Sequence, residues 1–274
     1  MSQTLAPRHV PVPPTLPRVF MAAVRAEWTK LRTVRSTLWA LIFTLVSTVG
    51  LGALLTGLEV SRWDRRTGAE ATGFDPLLYS FAGINLAQLS IGVLAVLVMT
   101  SEYITGTIKL TFGATPQRHL LLAAKVTTFS SVVATIGLVS CVAAFFVCQA
   151  LLAPQHAGVS ISDPGVRRAV IGGVAHLVLI AVIAVGVGAV VRRTAGAVAV
   201  LFAVLLVVPG LVALLPSPWN DNVTRYLPSS AGIAMSAVVH FPNLLSPAGG
   251  LLVLSGYAAA TLALAAVLLV RRDA

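Results

Sequence analysis

Six stretches of this 274-residue chain contain no aspartate, glutamate, lysine or arginine: 36–58, 76–101, 126–162, 169–191, 194–220 and 226–270. The shortest has 23 residues. A hydrocarbon core of ~30 Å takes about 20 helical residues. Charged residues make up only 10% of the chain and apolar ones 57%, with a mean hydropathy of +0.91. Soluble domains carry about 25% charge, so this composition excludes that class, and the high hydrophobicity excludes intrinsic disorder. An integral membrane protein remains.

Backbone polar groups in lipid must be satisfied internally, and the stretches lack period-two alternation, so they predict helices rather than a β-barrel. The first five stretches hold one span each, near 37–58, 79–100, 126–150, 169–191 and 194–215. The last is long enough for two. Its first half, however, contains Pro228, Ser229, Ser230, His240, Pro242, Asn243, Ser246 and Pro247. That half reads as a loop or re-entrant element, leaving one clean crossing at 249–270. The expected fold is an all-α integral membrane protein with six transmembrane helices.

Lysine and arginine placement sets the expected orientation. The N-terminal segment, the connections after spans two and four, and the C-terminus together carry 13 basic residues; the opposite connections carry 6. The first side is expected to be cytoplasmic, with both termini inside. It holds three acids, Glu27, Glu102 and Asp273, and so the whole net charge of +10. This surplus reads as topology and contact with anionic membrane lipid rather than as nucleic-acid binding. Residues 1–17 contain five prolines and read as a disordered cytoplasmic tail, not a secretory signal, ahead of a single transmembrane domain over 18–274. The expected location is the cytoplasmic (inner) membrane, crossed several times.

Two polar segments stand out. In 18–36, Phe20, Val24, Trp28 and Leu31 form one apolar stripe, with Arg25, Thr29 and Arg32 on the other face. This predicts a helix lying in the headgroup layer, a reading compatible with simple basic flanking of span one. The segment 101–125 is too polar to cross and too apolar for a solvated linker. Ile104, Ile108 and Phe112 recur every fourth residue, and Gly113 with Pro116 would end a short helix. Such a helix docks either on a partner or on the membrane surface and the protein's own helices.

These segments carry a family resemblance. Glu27, Trp28, Lys30, Leu31 and Arg32, then Arg35 and Ser36, resemble the stretch before the first span of type-two ATP-binding-cassette (ABC) permeases of bacterial exporters. Glu102, Tyr103, Gly106, Thr107, Ile108 and Lys109, then Pro116, Arg118, Ala123, Ala124 and Lys125, resemble the stretch after the second. Tyr226-Leu227-Pro228-Ser229-Ser230-Ala231-Gly232 is a third match. The order covers nearly the whole chain; the proline-rich tail and Gln117, where a second basic residue is common, depart from it.

The resemblance implies roles. Glu27, Trp28, Lys30, Arg32 and Arg35 would belong to a connecting helix on the inner leaflet. Glu102, Tyr103, Gly106, Thr107, Ile108 and Lys109 would belong to a coupling helix, between helices 2 and 3, that docks on an ABC ATPase. Tyr226, Leu227 and Pro228 would open an outer re-entrant hairpin that gates the path before helix 6. Two ATPase subunits, and a second permease copy as homodimer or heterodimer, would complete the complex.

The residues themselves agree. The three lysines, Lys30, Lys109 and Lys125, precede Leu, Leu and Val, and none follows Gly, so the chain has no P-loop. ATP and Mg would be handled by the partner, and this chain is expected to be a transport subunit without enzymatic or cofactor chemistry of its own. The span windows hold no charged residue, which argues against an ion-coupled carrier. The five histidines are scattered, and no metal site or catalytic constellation is visible. Cys141 and Cys148 lie ~10.5 Å apart along one helix, too far for a mutual disulfide, and read as packing residues. Asn85 and Gln88 share a helical face and line a path or bond a neighbouring helix. The expected function is ATP-driven efflux of an amphipathic or lipid-like cargo. A membrane sensor or assembly factor on the same scaffold is the alternative from another class.

Overall fold

A computed structural model describes residues 16–63, 74–106, 118–239 and 241–272. No strand occurs among them. In chain order the helices are α1 (Leu16–Thr33), α2 (Arg35–Ser61), α3 (Pro76–Ser80), α4 (Ile84–Ile104), α5 (Arg118–Leu152), α6 (Val166–Val191), α7 (Thr194–Phe202), α8 (Val208–Val212), α9 (Trp219–Thr224), α10 (Pro228–Ser236) and α11 (Pro247–Arg272). A π-helical turn, Ala203–Val207, joins α7 to α8. Six helices are long and apolar enough to cross a membrane: α2, α4, α5, α6, α7 continued through α8, and α11. The chain is a multi-pass membrane protein.

Alternating direction brings the start of α2, the end of α4, the start of α5, the end of α6, the start of α7 and the end of α11 to one end of the bundle. Contacts confirm it: the Thr100 and Thr194 hydroxyls are 2.7 Å apart, and Arg118 Nη1 donates to the Leu269 carbonyl at 2.8 Å. This is the basic end. Arg118 and Arg192, which donates to the Leu268 carbonyl at 3.2 Å, meet the last carbonyls of α11, where cations complement the helix dipole.

Helix α2 is packed inside out relative to a helix of a soluble protein. The buried face of α2 consists of Thr37, Thr44, Ser47, Thr48, Gly52 and Thr56, while Leu38, Trp39, Phe43, Val46 and Leu54 point outward. Lipid tails accept apolar side chains as readily as a core does, so small residues are used where helices must approach closely. Thr44 and Thr48 return their hydroxyls to their own helix, at 2.8 Å to the Ala40 carbonyl and 2.7 Å to the Thr44 carbonyl.

Three boundaries differ from the expectation. First, α5 begins at Arg118 rather than near 126, so the polar connection is shorter than 101–125. At ~1.5 Å per residue its 35 residues reach about 50 Å, well beyond the hydrocarbon core. Second, α4 runs through Ile104, carrying Glu102 into the second span helix, and Lys125 lies inside α5. Third, the buried face of α1 is Ala23, Glu27 and Leu31, while Trp28 is 46% exposed. Leu31 of the apolar stripe thus shares the inward face with a charged glutamate, while Phe20 and Val24 are half-buried.

The segment before the last span contains a short buried helix, α10, with Pro228 in its first turn. It packs on α6 and α11. Gly232 lies against the His176 ring and Gly172 against the Met235 backbone; a Cβ at either would collide. The proline and serines that argued for a loop here open a helix.

Candidate functional site

Helices α1, α4 and α5 meet at the basic end, and each contributes charge. Glu27 lies on the inner face of α1, Glu102 in the last turn of α4, and Lys125 two turns into α5. Lys125 Nζ donates to Glu27 Oε2 at 2.6 Å, to Glu102 Oε1 at 2.8 Å and to the Val98 carbonyl at 3.4 Å. Lys30, one turn beyond Glu27, donates to Glu27 Oε1 and Glu102 Oε1, both at 2.7 Å. The result is a neutral cluster of two carboxylates and two ammonium groups.

Side-chain exposure is 2% at Lys125, 3% at Glu27 and 7% at Glu102, against 46% at Lys30. The three buried charges are tolerable because each is paired and hydrogen-bonded. Lys30 has its pKa raised above 10.5: partial burial works against the ammonium, but the hydrogen bonds and charges of Glu102 and Glu27 outweigh it.

The motif residues at this end therefore divide. Glu27, Lys30, Glu102 and Lys125 bind one another. Trp28, Arg32 and Arg35 are exposed. Tyr103 receives the Arg192 guanidinium over its ring at 5.2 Å, tying the ends of α4 and α6. Ile104 is 70% exposed and Gly106 has a left-handed φ of +69°. Thr107, Ile108, Lys109, Phe112 and Pro116 lie outside the described residues. Glu102 turns its carboxylate into the protein, onto Lys30 and Lys125.

A cavity of about 220 Å³ opens beside the cluster, walled by α1, α2, α4 and Lys125. A second space of about 390 Å³ runs between α2 and α4 and reaches Phe202 of α7. Ser36, Leu94 and Leu97 line both, so the two adjoin.

The opposite end is built differently. Asp75, 1% exposed, accepts from Leu77 and Leu78 backbone N–H through Oδ1, at 2.9 and 3.3 Å, capping α3. Its Oδ2 accepts from Val238 and Val239 backbone N–H at 2.8 and 3.0 Å. Arg168 of α6 donates to the carbonyls of Met235 and Ala237, at 3.4 and 2.8 Å. One carboxylate and one guanidinium thus clasp 235–239, where the chain leaves α10. Of the expected gate residues, Pro228 starts α10, Leu227 is buried, and the Tyr226 carbonyl accepts from the Tyr257 hydroxyl at 3.2 Å.

Asn85 and Gln88 do not act as a pair. Asn85 is exposed and bonds the Ala82 carbonyl one turn back at 3.2 Å. Gln88 is buried, with Oε1 3.0 Å from His176 Nε2. Gln88 thus makes an interhelical bond, which also accounts for the one histidine in a span window. Sequence reasoning missed Asp75 and Arg168, which it counted as charges of the opposite side, and it saw Lys125 only as a motif position. The chain matches no protein-family model and no curated protein in sequence.

Proposed function

We propose that this chain is the membrane subunit of an ATP-driven exporter of the type-two ABC permease class, with the basic end cytoplasmic. Two copies, or one copy and a homologue, form the path, and separate ATPase subunits bind at 105–117. The carrying observation is the ion cluster. It links the helix before the first span to the last turn of α4 and the start of α5, the two helices that flank 105–117. A push on that segment would reach α1, α4 and α5 together through bonds of 2.6–2.8 Å. The exposed Ile104 supports an apolar docking surface at the same place. The class carries no nucleotide site of its own, in keeping with the missing P-loop.

Purification of the tagged full chain in mild detergent tests this reading. A co-purifying P-loop ATPase whose turnover rises with cargo supports an exporter. An ATPase insensitive to every amphiphile tried favours a sensor or assembly factor. Gly106→Ala probes the docking segment more cleanly than Glu102→Ala, because it strains only a left-handed residue with open space around it, whereas loss of Glu102 dismantles the cluster.

A second reading rests on the boundary shift. Glu102 and Lys125 lie within span helices, and ionisable groups there serve as proton relays in carriers. An ion-coupled carrier predicts cargo movement driven by a proton gradient in vesicles holding this chain alone; the exporter predicts none.

A further inference from the structure

Helix α1 has two faces of opposite character. Ala23, Glu27 and Leu31 turn inward, and Lys30 beside them is held by the Glu27 and Glu102 carboxylates. The other cations of the helix, Arg18, Arg25 and Arg32, recur every seventh residue. Seven residues make almost two full turns, so the three form one row, with neighbours ~10.5 Å apart along the axis. Arg25 lies ~160° around the helix from Glu27. All three are exposed, and their guanidinium groups make no ion pair or side-chain hydrogen bond among the described residues. Since the ion cluster is neutral within itself, the row is an uncompensated positive charge facing away from the bundle. Arg35, exposed at the start of α2, adds to it at the end nearest the first span.

What borders the row points to its partner. Going round the helix from Glu27 to the row, the surface is apolar: Val24, then Trp28 and Met21, the last two exposed. Beyond the row stand Thr29 and Ala22. An exposed apolar strip edged by arginines suits a helix lying at a bilayer surface, with the strip at the acyl boundary and the guanidinium groups at the level of the phosphates. Helix α1 is placed for this, because one non-helical residue, Val34, separates it from the membrane-spanning α2. A soluble acidic partner would match the charges but would give Trp28 and Met21 no apolar layer to enter. We propose that this face of α1 recognises anionic phospholipid: the arginine row takes the headgroup phosphates, and Trp28 and Met21 enter the acyl boundary beside it. Selection is for a net negative headgroup, because the choline of a zwitterionic lipid repels the same row. The lipid lies on the outer face of the helix whose inner face binds Lys125 through Glu27. Neither the exporter nor the carrier reading is required.

Brominated phospholipids provide the test. The chain has four tryptophans, Trp28, Trp39, Trp63 and Trp219. Full-length chains keeping only Trp28, or only Trp219 at the opposite end, with the others changed to Phe, are placed in nanodiscs of mixed phosphatidylcholine and phosphatidylglycerol. Bromine on the acyl chains of one lipid at a time quenches a tryptophan that this lipid touches. Quenching of Trp28 should show a preference for phosphatidylglycerol of at least about fivefold, the effect of one arginine near an anionic surface, and Trp219 should show none. The preference should fall towards one in high salt and in a chain carrying Arg18→Gln, Arg25→Gln and Arg32→Gln together. Thermal stability of that chain should hold, since none of the three side chains bonds the bundle. Lys30→Gln removes the same charge from the same helix, but from within the cluster, so it should lower the preference less than Arg25→Gln alone. Absence of a preference at Trp28, which is also the result if the row serves a protein, would overturn the proposal. So would an equal preference at Trp219, an unchanged one in the triple variant, or equal losses from Lys30→Gln and Arg25→Gln.

Discussion

The two ends of the bundle solve the burial of charge in opposite ways. At the basic end, Glu27, Lys30, Glu102 and Lys125 bind one another, so four of the cluster's five bonds join two side chains, the fifth running from Lys125 to the Val98 carbonyl. At the other end, Asp75 and Arg168 bind backbone, fixing the course of 235–239 directly. A backbone clasp sets one geometry. A side-chain cluster can exchange partners, because both lysines reach the same Glu102 oxygen and Lys30 is half-exposed. That arrangement suits an end whose helices shift against one another, and the clasp suits an end that holds a helix in place.

Lys125→Met is the most damaging way to break this contrast. It removes the one cation that is fully enclosed and leaves Glu27 and Glu102 facing each other with only Lys30 between them. Losing one partner of a buried ion group costs about 3–5 kcal/mol. Thermal unfolding in detergent should show a clear fall in Tm, and amide exchange should rise at the start of α5 and along α1. An unchanged Tm would mean the cluster is not held as described.

Asp75→Ala comes next. It strips an acceptor from two half-buried backbone N–H groups and uncaps α3, together about 2–3 kcal/mol. Amide exchange should rise at Val238 and Val239 and leave the basic end unaffected. If exchange rose at both ends alike, the ends would not be separate devices.

What the residues disclosed beforehand follows the range of each interaction. Spans were legible because lipid burial acts on continuous runs such as 169–191, and the structure puts a helix over 166–191. Helix ends were not: Arg118, already within α5, bonds a carbonyl 151 residues away on α11, a contact no local pattern discloses. The re-entrant helix was half legible. Pro228, Ser229 and Ser230 did mark a failed crossing, but its helicity depends on Gly232 and Gly172 letting it sit against α6. The cluster was least legible: its bonds span as many as 98 residues. One signal was available. Of only three acids on the basic side, Glu102 directly follows an apolar run, and a carboxylate at a membrane boundary needs a cation.

Gln88→Leu sharpens the comparison in the middle of the bundle, between the two ends. It removes the acceptor that faces His176 Nε2 and leaves a buried imidazole beside α10. The expected loss is about 1–2 kcal/mol, carried by exchange at α4, α6 and α10 rather than at either end.

Lys30→Met should have the smallest effect, and it separates the enclosed part of the cluster from the open part. Lys30 is 46% exposed, so solvent screens its pairs and the loss is about 1 kcal/mol or less. Its pKa is raised on folding, so its contribution is fully present below 10.5 and is lost only as pH rises through the higher folded value. The stability difference between wild type and Lys30→Met should therefore stay constant from about pH 7 to 9 and narrow only above 10.5. It should also shrink with added salt, whereas the Lys125→Met loss should not, because buried pairs are screened far less. A salt-insensitive Lys30 difference would place that lysine inside the enclosed cluster and remove the exchangeable partner on which the contrast between the ends rests.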